Sequence, residues 1–192
     1  MSSQVFEMPR QGLNPRQAET VERLLAAGLE ELRAVGHEAL TVRTVAQRAG
    51  VSPATAYTYL ASKNHLFAEL FWRHLTSAEL TQTAAGTAVQ RLQATMRALT
   101  ARIVEEPELA AAVTPALLGT DPDVARLRLR IGAEFLSRFE SALGDQADPG
   151  VLEVLVLTFS GALLQAGMGL MTYDQIAERL VAAVDVIMRG NP

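Results

Sequence analysis

The sequence predicts an all-α fold, and three observations carry that prediction. Alanine, leucine and arginine abound, runs of β-branched residues are few, and no long segment alternates apolar with polar residues as a strand does. At 192 residues the chain is long enough for one generous domain or two small ones. A body of that size buries a real core without disulfides or metal. The absence of cysteine excludes zinc fingers, thiolate-held clusters and thiol catalysis, and fits a reducing cytoplasm. The opening residues MSSQVFEMPRQGLNP lack the basic stretch and apolar run of a signal peptide.

Nine helices follow from spacing and punctuation. Asn14-Pro15 opens the first, and Val21, Leu24, Leu25, Gly28, Leu29, Leu32 and Val35 recur at helical spacing until Gly36 stops it. Thr41 caps a short second helix with Val42, Val45, Ala46 and Ala49 on one face. Thr44 stands where a capping box has an acid or amide, so this cap is expected to be incomplete. Gly50 ends the helix. Ser52 caps a third, with Pro53 at a first position where the missing amide costs nothing, running to about Leu60. Ser62 caps a fourth, which continues through Leu66, Phe67, Leu70, Phe71 and Leu75 and fades near Ala84-Ala85-Gly86.

The fifth helix is expected at about Ala88 to Glu105, and a sixth near Glu108 to Leu118 with a kink at Pro115. After the turn Gly119-Thr120-Asp121-Pro122, a seventh runs from about Asp123 to Leu143. Gly144 to Gly150 is a polar loop. The eighth spans about Val151 to Met171 and the ninth about Asp174 to Arg189. The eighth is long and apolar enough to cross a bilayer. It carries Glu153, Ser160 and Gln165 and lacks basic or aromatic flanks, so no membrane is expected. The expected arrangement puts one of its sides in its own core and the other against a second subunit.

Net charge is −4, which argues against a nucleic-acid partner until its distribution is read. Residues 1–65 hold seven Arg/Lys against six Asp/Glu, while residues 66–192 hold ten against fifteen. The 25 residues from Thr41 to His65 contain Arg43, Arg48 and Lys63, the only lysine, and no acid. That window is a modest basic patch. Within it lies the strongest motif, TVRTVAQRAGVSPATAYTYL: a short helix, a tight turn and a second short helix. Such a unit needs a small residue where the helices cross (Ala46), a turn residue without steric cost (Gly50) and an apolar anchor after it (Val51). The second helix then lies in the major groove with its first residues, Pro53, Ala54, Thr55 and Tyr57, toward the bases. The helix starts at Ser52 and Ser62 offer free amides to phosphate.

From about Leu24 to Leu70 the chain resembles the TetR family of bacterial repressors. The likeness rests on Gly36, Thr41, Val45-Ala46, Ala49-Gly50-Val51-Ser52, Thr55, Tyr57, Tyr59 and Ser62-Lys63-x-x-Leu66. The chain departs from the family's usual pattern at Leu60, where phenylalanine is common, at Thr44, where an acid or lysine is frequent, and at Ala56, where a larger residue is usual. The resemblance implies a helix-turn-helix domain over 1–62 and a helical ligand-binding and dimerisation domain over 63–192. It implies that Arg43 reaches a guanine or an adjacent phosphate. Thr41, Ser52, Thr55, Tyr57 and Lys63 then contact the DNA backbone, and Pro53, Ala54 and Thr58 face bases, with Tyr59 in either role. Because Tyr57 and Tyr59 cannot share one helix face, one of them is expected to pack inward.

So few cations bind DNA weakly as a single unit, so a homodimer on a palindromic operator is expected, its recognition helices about 34–36 Å apart. In the eighth and ninth helices Gly161, Ala162, Ala166, Gly167 and Gly169 permit close approach, and Leu180, Val184, Ile187 and Met188 form a stripe, with Ala183 beside it. The remaining helices are expected to enclose a small, largely apolar effector among Met96, Leu99, Thr100, Ile103, Leu117, Phe135, Phe139, Phe159 and Gln165. Met and Phe at helical spacing more often make a plain core. Trp72 stands between the two units as a link. No cofactor is expected. An enzyme is disfavoured: Lys63 is the lone lysine, His37, His65 and His74 have no metal spacing, and Ser160 lacks the glycine of a nucleophile elbow. An activator of the same fold would share every residue named, and a helical dimer without DNA binding would not need the acid-free window.

Overall fold

The computed structural model describes residues 14–77 and 86–189. Among them are nine α-helices and no strand: α1 Pro15–Ala39, α2 Val42–Arg48, α3 Pro53–Tyr59, α4 Lys63–Thr76, α5 Ala88–Val104, α6 Pro107–Leu118, α7 Pro122–Leu143, α8 Pro149–Gly167 and α9 Tyr173–Met188. A 3₁₀ turn at Gly144–Gln146 lies between α7 and α8. The expected fading of the fourth helix at Ala84-Ala85 lies outside the described residues.

Local hydrogen bonds explain most boundaries. The side chains of Asn14, Thr41, Ser52, Ser62, Thr87 and Thr172 each accept from the backbone amide three residues on, tying down an amide that the helix leaves unpaired. The cap of α2 is complete, against expectation. The Thr44 hydroxyl lies 3.2 Å from the Thr41 amide and does what a glutamate would. Helix α6 has no side-chain cap, because Glu106 at that position gives its carboxylate to Arg33 of α1, with Nε 3.0 Å from Oε2. Pro115 is accommodated inside α6. Helical geometry in α1 breaks at Gly36.

The eighth helix stops four residues short of the expected Met171. Gly169 has φ +71°, and the Leu170 amide reaches back to the Gln165 carbonyl at 3.0 Å, closing the helix as a left-handed residue allows. Gly169 is thus a helix stop rather than a point of close helix approach. Gly167 makes its close approach within the subunit: a Cβ there would lie 2.4 Å from Cγ2 of Thr114 on α6.

A continuous apolar core touches every helix. Where α1 meets α4, Gly28 admits Leu66, which would sit 2.8 Å from any Cβ. Helix α9 packs on α5 through Ile176, Leu180, Val184 and Met188, all buried. This corrects the expectation that Leu180 and Val184 serve mainly a second subunit. An apolar stripe at a spacing of four residues marks a buried face but does not say whose core buries it. Helix α8 is long and apolar enough to cross a membrane by length and composition. It buries Val151, Leu152, Leu155 and Phe159 in its own subunit and leaves Val154 and Leu157 outward.

Candidate nucleic-acid interface

Helices α2 and α3 are joined by four residues, Ala49 to Ser52, and the first three of their amides are tied to carbonyls of α2. The Val51 amide donates to the Ala46 carbonyl at 3.0 Å and the Gly50 amide to that of Gln47 at 3.1 Å, with Gly50 at φ +66°. This closure turns the chain sharply without a Cβ clash. Val45 and Ala46 are wholly buried at the crossing, and Ala56 and Leu60 are buried under α3. The small Ala56 therefore serves the packing of α3 onto α2.

Packing one side of α3 fixes what the other side shows. Pro53, Ala54, Tyr57 and Thr58 point outward, with Tyr57 56% exposed. Thr58 turns its hydroxyl back onto the Ala54 carbonyl at 3.1 Å, leaving its methyl group as the outward element. Ser52 is exposed, and Thr55 is half-buried with its hydroxyl 2.8 Å from that of Ser52. Tyr59 is half-buried against the core, so it is the inward member of the tyrosine pair. Helical geometry allows no other outcome once Leu60 and Ala56 are inside.

The three cations of the acid-free window meet different fates. Arg43 is exposed on α2 beside the exposed Thr41, with no ion-pair partner among the described residues. Arg48 is neutralised from α1, with Nε 2.7 Å from Glu31 and Nη1 3.8 Å from Glu30. Lys63 lays its ammonium on the carbonyls of His37 and Glu38 at 3.3 and 3.4 Å. Those acceptors carry no charge, so Lys63 remains an exposed cation with an N–H to spare.

The start of α4 is less open to phosphate than expected. Ser62 donates from its hydroxyl to Asp121 Oδ2 at 2.6 Å and accepts from the His65 amide. Asp121 in turn caps α7. The Ser62 hydrogen bond, with help from the amides of Asp123 and Val124, holds the Asp121 carboxyl below its ordinary value. Arg33 does the same to Glu106. These two polar contacts tie the first four helices to the rest and are absent from any local sequence pattern, since their partners lie 59 and 73 positions apart.

Of the residues expected around an effector, Met96, Leu99, Thr100, Ile103, Phe135, Phe139 and Phe159 are buried together in the core, and Leu117 is half-buried beside it. The Phe159 ring meets those of Phe135 and Phe139 edge-on at 4.8 and 5.7 Å. Thr100 spends its hydroxyl on the Met96 carbonyl at 2.7 Å. Gln165 is not among them. It is exposed and lines an open groove of about 360 Å³ between α8 and α9, together with Gly161, Ala162, Leu180 and Ala183. Six residues separate it from Phe159, which turns it ~120° off that face. Ala166 on α8 and Ile187 on α9 are half-buried. Trp72 packs between α4 and α7, with the Arg130 guanidinium 4.3 Å above its ring.

The family model described as bacterial regulatory proteins, tetR family, matches residues 24–70. An HTH-type transcriptional regulator of Mycobacterium tuberculosis is 45% identical over 179 residues, which cover 92% of this chain and 84% of that protein. The HTH-type transcriptional repressor KstR of Mycolicibacterium smegmatis is 32% identical over 133 residues, 67% of this chain and 65% of that one. The crystal structure of a TetR transcriptional regulator from Rhodococcus sp. RHA1 shares the fold at a TM-score of 0.70 and 20% identity, covering 91% of this chain and 99% of that one. These relatives are regulators rather than enzymes. The chain belongs to the TetR family of bacterial transcriptional regulators, and α2–α3 is its DNA-binding helix-turn-helix.

Proposed function

We propose that this regulator is a cytoplasmic homodimeric repressor that binds a palindromic operator and is released by a small, largely apolar effector. One observation carries the DNA reading: the outward face of α3, formed by Pro53, Ala54, Tyr57 and Thr58, is uncharged and lies next in the chain to α2, which exposes Arg43. Methyl and ring groups suit thymine methyls, and a bidentate arginine suits guanine. Thr41, Ser52, Thr55 and Lys63 are the backbone contacts in this reading. The 1–62 and 63–192 division follows, with α4 as the shared element. Repression is favoured over activation because the KstR relative is a transcriptional repressor.

The dimer face is the outer side of α8 and α9. Leu157 and Val186 are 65% and 64% exposed there, around a groove floored by Gly161, Ala162 and Ala183. Apolar residues that large, exposed together, mark an association surface. Because Leu180 and Val184 already serve the subunit's own core, the contact is carried by Leu157, Val154, Val186 and Ile187.

The test is a mobility-shift assay with the chain's own upstream DNA. Wild type shifts it, Arg43→Ala and Tyr57→Ala each weaken binding by about tenfold, as loss of a good base contact does, and Leu157→Glu yields a folded monomer with little binding. Normal binding by both α3-face and Arg43 variants overturns the assignment.

A further inference from the structure

We propose that Arg138 is the polar anchor of the effector site, and that the effector it takes is an apolar molecule carrying an acceptor oxygen, a carboxylate or a ketone. This rests on reading α5–α8 as the effector domain. Arg138 is the only buried arginine among the described residues, 8% exposed. Burying a guanidinium is costly unless every N–H finds an acceptor. Two of its three nitrogens do. Nε donates to Glu134 Oε1 at 2.7 Å, and Nη2 to the Leu75 carbonyl at 2.8 Å. Nη1 is sealed from solvent and has no partner among the described residues. Donors left in that state are rare in folded proteins and call for an explanation.

A merely structural role explains the Nε and Nη2 contacts and leaves Nη1 over. Strapping α7 to the last turn of α4 takes one donor, and a neutral amide side chain supplies it without the cost of a buried charge. The third nitrogen is accounted for by an acceptor that arrives with a ligand. The surroundings suit such a molecule. Arg138 shares the buried face of α7 with Phe135 and Phe139, whose rings meet that of Phe159 edge-on. Aromatic walls receive the apolar body while the guanidinium takes the oxygen. Glu134, on the same helix, is partly exposed and compensates only the Nε edge of the charge. The site also touches the signalling path. Leu75 lies three residues beyond Trp72 on α4, so an oxygen that draws the guanidinium toward itself competes with the end of that helix.

The test uses full-length protein and straight-chain carboxylates from octanoate to hexadecanoate, with 2-alkanones and primary amines of matching length. Binding is read from the fluorescence of Trp72, the sole tryptophan, and from thermal shift. Wild type is expected to bind a carboxylate or ketone at least about tenfold more tightly than the amine of equal length. Arg138→Met removes that preference while still binding apolar chains. Glu134→Gln, which uncovers the charge, enlarges the preference for carboxylate over amine, and it decides the matter alone should Arg138→Met not fold. Equal binding of acceptor and amine by wild type, or a preference unchanged in these variants, overturns the anchor and leaves the effector domain standing. Failure of every chain to bind wild type overturns the effector domain itself, and the anchor with it.

Discussion

Single residues divide the basic window into separate roles. Arg48 is occupied by Glu31 and Glu30, so its charge is cancelled locally, whereas Arg43 faces outward. Lys63 does two things at once: it straps the start of α4 to the end of α1 and still presents a cation. Each phosphate neutralised contributes about 0.9 to the slope of log affinity against log salt. Lys63→Met is therefore expected to reduce that slope by about one in a salt titration of operator binding, with Lys63→Arg restoring it. A slope unchanged by Lys63→Met makes the residue a strap alone. Thr44 shows how chemistry of the wrong apparent type fills a role. A hydroxyl three residues past the cap does the work of a carboxylate, and the sequence pattern for capping boxes misses it.

Among the helices, the glycines of α8 and α7 separate two kinds of position. At Gly167 a methyl group would collide with Thr114 of α6, so Gly167→Ala is expected to destabilise the fold by about 2 kcal/mol, as overpacking does. At Gly132 a methyl group meets nothing within 4 Å, and Gly132→Ala is expected to stabilise by up to about 1 kcal/mol through helix propensity. Urea unfolding of the two variants measures both signs. Equal effects would mean that α8 does not lie on α6 as described. The same helices show why periodicity misled at α9. Its stripe of large apolar residues is real, but α5 covers it, and the outward face is the sparser one with Val186.

For the whole molecule, two carboxylates tie the first four helices to the starts of α6 and α7. Glu106 pairs with Arg33 and Asp121 accepts from Ser62, and both contacts hold the carboxyl groups below their ordinary values. A lowered folded-state value means that the unfolded chain takes up the proton first. The stabilisation is complete above the unfolded-state values, near pH 4, and is lost as pH falls through the lower folded-state values. Glu106→Gln and Asp121→Asn are thus expected to flatten the acid limb of the stability curve, with little change in its shape above pH 6, followed by circular dichroism against pH. An acid limb as steep as that of wild type would place the sensitive carboxylates elsewhere. If the proposed effector response holds, the same variants are also expected to alter the coupling between effector and DNA, which linkage makes reciprocal.

The sequence by itself determined the all-α class, the order of nine helices, and the helix-turn-helix. All of these follow from interactions spanning three or four positions: caps, turn glycines, and the spacing of small and apolar residues along one helix face. It also determined that one of Tyr57 and Tyr59 turns inward, since helix geometry forbids both. Only the tertiary structure decided which partner covers each face. It assigned Leu180 and Val184 to the subunit's own core, turned Gln165 away from Phe159, closed the start of α4 with Asp121, and left one nitrogen of Arg138 buried without an acceptor among the described residues. The physical reason is range. A helix pattern records that a side is apolar or charged, but burial and pairing are set by groups tens of residues away that meet it only when the chain is folded.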